Sequence, residues 1–99
     1  MSYLRADAGL IREFLPLQAR PPADADGLFL VYAVLMRAKG EQVTAVDVHD
    51  AWAVWTETRN PDHAALVPFD ELSPVTQRED EPCVQAIQAA ARVRTKERP

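Results

Sequence analysis

Two histidines in this chain each stand beside an aspartate, as His49-Asp50 and Asp62-His63. Imidazole and carboxylate side chains are the raw material of a divalent-metal site of the phosphohydrolase type. That chemistry needs several ligands converging on one cation. The chain has two histidines in all and no second helical His-Asp pair, so no metal is expected. His49 is expected instead to hydrogen-bond the loop that follows its helix and fix its position. Cys83 lies near a predicted helix N-terminus, where a thiolate would be favoured. It has no partner base at a recognisable spacing and reads as a small buried apolar residue. The only glycines are Gly9, Gly27 and Gly40, so no glycine-rich phosphate loop exists. Ser2, Thr44 and Ser73 fall at predicted helix caps, with no nucleophile arrangement around them. These residue types predict a protein that binds rather than one that catalyses, with no cofactor.

Trp52 and Trp55 are the strongest binding candidates. Two indoles one helical turn apart can form an aromatic platform for a base or a peptide. Large apolar residues on a helix can equally be core. Trp52 is expected to be mostly core, and Trp55 the better candidate for a pocket wall.

The elements that must position these residues follow from periodicity. A first helix is predicted from Ser2, as N-cap, to before Pro16, with Tyr3, Leu4, Leu10, Ile11, Phe14 and Leu15 on one stripe. Pro16, Pro21 and Pro22 mark an extended connector, because proline fixes φ and removes an amide donor. A second helix is predicted from Asp24 or Asp26 to Lys39, with Gly40 as its stop. Its run from Leu28 to Met36 is apolar on every side, so the helix must be covered on every side. It is either the centre of the bundle or partly covered by a second subunit. Thr44-Ala45-Val46-Asp47 resembles a capping box opening a third helix, whose broad apolar face holds Val48, Ala51, Trp52 and Trp55. Asn60-Pro61 ends it, and the segment to about Phe69 is expected to be an ordered loop folded back on the core through Leu66, Val67 and Phe69. Ser73-Pro74 starts a short turn. Asp80 or Glu81 with Pro82 starts a last helix, with Val84, Ile87, Ala90 and Ala91 facing inward.

Ninety-nine residues make one domain, able to bury roughly two thirds of its unfolded surface. The single cysteine excludes an internal disulfide and suits a reducing, cytoplasmic setting. No basic stretch followed by an apolar run opens the chain, so no signal peptide is expected. The longest apolar run is about half a membrane span, which predicts no membrane association. The net charge of −4 is unevenly spread. Residues 41–82 carry ten acidic groups against only Arg59 and Arg78, while the flanks are net positive. So negative a middle repels a phosphate backbone, and nucleic-acid binding is disfavoured. Arg92, Arg94, Lys96 and Arg98 are expected to complement the C-terminal end of a helix dipole.

Val48-His49-Asp50-Ala51-Trp52-Ala53, followed by His63-Ala64-Ala65-Leu66-Val67-Pro68-Phe69-Asp70-Glu71-Leu72, resembles a shortened ryanodine-receptor (RyR) domain. In that family a Val-His-Glu-x-Trp-Ala helix precedes a His-Pro-x-Leu-Val-Pro-Tyr-x-Glu-Leu segment and a closing helix. The resemblance covers residues 44–91, about half the chain, and leaves an N-terminal helical pair at 2–40. A Gly-Trp-x-Tyr-Gly segment usual in the family is missing before His63, and Ala64 and Phe69 replace its proline and tyrosine. The resemblance implies a small helical module and, by analogy with stand-alone prokaryotic and phage versions, a nucleotide-derived ligand. The site it implies involves His49, Trp52, Arg59, His63 and Pro68, with Trp55 added from its place on the helix.

The sequence therefore predicts an all-α, compact bundle of four main helices plus a short helical turn, with an ordered loop at 60–72. Its expected role is a binding module with a cleft between the Trp helix and that loop. The alternative is a bacterial or phage accessory protein that engages a partner, or its own copy as a homodimer, through the second helix or the acidic face. An exposed Trp55 beside Arg59 and His63 would favour the first, and a large exposed patch of Leu28, Val31 and Leu35 the second.

Overall fold

A computed structural model describes residues 2–19 and 24–97. Five α-helices make up the fold: α1 (Tyr3–Glu13), α2 (Asp26–Lys39), α3 (Ala45–Arg59), α4 (Pro74–Arg78) and α5 (Glu81–Glu97). Single 3₁₀ turns stand at Leu17–Ala19, Gly40–Gln42 and Phe69–Glu71. The architecture is the all-α bundle expected, four main helices and one short one. Among the described residues there is no strand, and no helix is long and apolar enough to cross a membrane.

Local chemistry explains where the helices begin. The Ser2 hydroxyl accepts from the Arg5 amide and caps α1. At α3 the Thr44 hydroxyl accepts from the Asp47 amide, while the Asp47 carboxylate accepts from the Thr44 amide at 2.9 Å. Both halves of the capping box are present. The Lys39 ammonium also donates to that carboxylate at 3.0 Å, tying the end of α2 to the start of α3. Slight desolvation pushes the Asp47 carboxyl up, but hydrogen bonds from Thr44 and Lys39 outweigh it and hold the group below the usual aspartate range. Gly40 stops α2 at φ 57°, in the left-handed region that glycine enters without strain.

Helix α2 is the centre, packing against α1, α3 and α5. Phe29, Tyr32, Ala33 and Met36 are fully enclosed with Ile11, Val48 and Ile87. Covering is not complete on every side, because Val34 is 53% exposed while Leu30, Val31 and Leu35 are half-buried. Leu28 is 6% exposed and faces inward, so Leu28, Val31 and Leu35 form no large exposed patch of the kind that would favour a partner on this helix.

The N-terminal stripe is narrower than periodicity suggested. Tyr3 is 62% exposed and Phe14 43%, whereas Asp7 is buried. The reason is a charge network that needs Asp7 on the inner face. Arg37 Nε of α2 donates to its Oδ2 at 2.6 Å, and Arg94 Nε of α5 lies 3.6 Å from Oδ1. Tyr3 instead lies under the Arg37 guanidinium, 4.5 Å from its ring centroid. Arg94 and Arg92 are thus tied across the bundle, Arg92 donating to Glu41 at 3.1 Å, rather than serving only the helix dipole. Arg98, and the Pro21-Pro22 part of the connector, lie outside the described residues. Leu17–Ala19 of that connector is a 3₁₀ turn, not an extended stretch.

Candidate functional site

Along α3, His49, Trp52, Trp55 and Arg59 recur at intervals of three, three and four, which places them on one face of the helix. That face looks onto an open cleft of about 740 Å³, within the range of small-molecule sites. The opposite wall comes from α2 through Leu28, Phe29 and Tyr32, and from Asp24 and Ala25 just before it. The α4–α5 junction supplies Thr76, Glu79, Asp80 and Cys83, and the loop supplies His63, Ala64, Ala65 and Leu72.

Two histidines hold the loop side of the cleft together. His49 is buried, and its Nε2 meets the Val67 carbonyl at 2.7 Å. A carbonyl only accepts, so Nε2 carries the proton and His49 anchors the loop as its sequence position suggested. The imidazole stacks on Trp52 at 5.5 Å and meets the Phe69 ring at 6.1 Å. His63 Nδ1 accepts from the Ala65 amide at 3.0 Å, and its ring meets Trp52 edge-on at 5.1 Å. Trp52 therefore lies against two imidazoles. The loop is also stapled from beyond, where Gln77 Nε2 donates to the Phe69 and Leu72 carbonyls.

Trp55 forms the other wall, half-buried. It packs onto Gly27, where a Cβ would sit only 3.2 Å from the indole Nε1. A side chain at 27 would push on the ring. Arg59 lies over the outer face of Trp55, 4.6 Å from the centroid, and donates to the Asp24 carboxylate at 2.9 Å and the Asp24 carbonyl at 3.2 Å. Its charge is already engaged.

The deep polar groups lie opposite. Burial pushes the Tyr32 phenol far up, reinforced by the Cys83 thiol beside it. Burial also raises the Cys83 thiol, although hydrogen bonding with Tyr32 pulls it back. Such a thiol is a poor nucleophile. Burial raises the Asp80 carboxyl as well, with the His49 imidazole opposing and Glu79 adding to the shift.

Of the six residues the sequence marked, the structure gathers His49, Trp52, Trp55, Arg59 and His63 around one cleft. Pro68 is a correction. It lines a separate shallow groove with His49, Asp50, Val54 and Leu66, next to Val67, whose carbonyl His49 holds. Trp52 is likewise a wall as well as core packing. Tyr32, Asp80 and Asp24 went unmarked. Tyr32 was the one hydroxyl inside an apolar run, a polar tip that burial obliges to find a partner. Asp80 read as a capping residue, yet its carboxylate accepts no hydrogen bond from the described residues. Asp50 and Asp62 are exposed, and no three His, Cys, Asp or Glu among the described residues gather as they would around an ion.

Fold and site together define a small helical bundle with an aromatic-walled cleft. The chain belongs to the family described as a domain of unknown function (DUF7701), which matches residues 2–92 and so takes in both the N-terminal helix pair and the Trp-bearing half. No curated protein and no solved structure matches the chain.

Proposed function

We propose that this protein is a non-enzymatic, RyR-like binding module that holds a small, flat, nucleotide-derived ligand in the cleft between α3 and the 60–72 loop. The carrying observation is the convergence of two indoles, two imidazoles and Arg59 from α3 and the loop on a single cleft of about 740 Å³. Aromatic walls stack flat rings of any identity, and this supports a planar ligand. The RyR-like residues His49, Trp52 and His63 build the wall themselves, which supports carrying the family analogy to this site.

A thermal-shift screen against nucleosides, nucleotides, dinucleotides and NAD-derived molecules tests the reading, with Trp55→Ala and His63→Ala beside the wild type. A ligand at 100 times its Kd stabilises by about 2.7 kcal/mol. For this size of domain that is a rise on the order of 10 °C. The expected result is a hit that Trp55→Ala abolishes. Silence across the panel, or a shift that both variants keep, overturns the proposal.

A second reading rests on Val34, 53% exposed beside half-buried Leu30 and Val31 in a shallow groove with Leu4. That apolar strip supports a protein partner or a homodimer on α1–α2. Light scattering of wild type and Val34→Glu distinguishes it, since a dimer built there becomes a monomer in the variant.

A further inference from the structure

Two carboxylates on the cleft, Asp80 and Glu79, accept no hydrogen bond from the described residues, and the guanidinium there, that of Arg59, is already paired with Asp24. Arg59 is spread over Trp55 and bonded twice to Asp24, so it offers a phosphate little without first breaking those contacts. His49 donates its Nε2 proton to Val67, and Glu79 adds negative charge beside the junction. Asp80 is half-buried on the same cleft and accepts no hydrogen bond from the described residues. Partial burial without donors costs a carboxylate part of its hydration, and parallel N–H donors compensate it best because its two oxygens accept side by side.

We propose that Asp80 sets the specificity of the cleft, reading a flat ring that presents two adjacent N–H donors, while Trp52 and Trp55 flank the ring. The proposal rests on the ligand-cleft reading above and narrows its chemistry. Guanine presents such an edge through N1–H and its 2-amino group, and an aryl amidinium presents the same edge with a positive charge. Adenine and cytosine each offer a donor next to an acceptor, and the acceptor faces the carboxylate unfavourably. A phosphate is left outside, toward solvent.

Calorimetric titration of the full chain with guanosine, inosine, adenosine, adenosine monophosphate and benzamidine tests this. Guanosine or benzamidine is expected to bind saturably, and the tighter of the two tells a nucleobase from an amidinium. Inosine, which lacks the 2-amino group, is expected to bind at least about tenfold more weakly than guanosine, the loss of one hydrogen bond to a charged group. Asp80→Asn, with its helical circular dichroism intact, is expected to weaken guanosine and, more strongly, benzamidine, whose positive charge loses its counter-ion. Equal binding of inosine and guanosine, unchanged affinity in Asp80→Asn, or no binding of either donor-edged probe overturns the proposal. If adenosine monophosphate alone binds, and Trp55→Ala abolishes it, this inference falls while the cleft reading stands. If nothing on a wider ligand panel binds, both fall.

Discussion

Asp80 shows how a single side chain can be arranged against stability. Burial is the main cause of its raised pKa, with Glu79 adding to it and His49 opposing. The folded protein therefore holds this proton at pH values where the unfolded chain has released it. Stability falls as pH rises from the ordinary aspartate range through the raised value, and the penalty remains at neutral pH. Asp80→Asn is expected to raise the denaturant midpoint at pH 7, and its advantage over wild type is expected to shrink toward pH 4. A variant less stable than wild type at pH 7 would mean the carboxylate is satisfied after all. Trp55 and Gly27 make the complementary point about space. The indole lies where a side chain at 27 would be, so the smallest residue on α2 shapes the width of the cleft.

At the scale of elements, the 60–72 loop is the piece that most needs explanation, since it carries no regular helix before Phe69–Glu71. Its position depends on bonds from outside it: His49 to Val67, and Gln77 to Phe69 and Leu72. His49→Ala removes a hydrogen bond worth about 1 kcal/mol, leaves the Val67 carbonyl without its donor, and loses the stacking on Trp52. A loss of about 2 kcal/mol is expected from these together. Hydrogen exchange is the deciding measurement. Amides in 61–69 should lose protection by more than those of α5, because α5 is buried against α1 and α2. An equal loss in both would show that His49 supports the whole core rather than the loop.

At the scale of the molecule, the bundle has a radius of gyration of 13.2 Å, close to what about 100 residues give when tightly folded. Apolar contacts around α2 supply the bulk of cohesion, and Asp7 adds orientation by joining α1 to both α2 and α5. Its side chain is 10% exposed, while Arg37 and Arg94 reach solvent more freely. Asp7→Ala therefore strands no fully buried charge, and a cost of about 2 kcal/mol is expected rather than the larger loss of a sealed pair. That corresponds to a fall of about 10 °C in Tm. A change below about 0.5 kcal/mol, the usual range of surface substitutions, would show that the helices find their places by apolar packing alone.

Helix number, order and limits were legible in the chain because they depend on neighbours in sequence. Ser2, the Thr44–Asp47 box, Gly40 and Ser73-Pro74 act within a turn or two, and the structure uses each of them. The spacing along α3 was legible for the same reason, and His49, Trp52, Trp55 and Arg59 of that helix meet His63 of the loop at one cleft. What faces them was not. Asp7 lies 30 residues from Arg37 and Arg59 lies 35 from Asp24, and periodicity carries no information about such partners. Tyr3 and Phe14 read as part of the apolar stripe, and Pro68 read as part of the site. Each reading was decided otherwise by a contact across the fold. Local bonding and hydrophobic period determine elements, whereas the electrostatics of a cleft come from side chains brought together only when those elements pack.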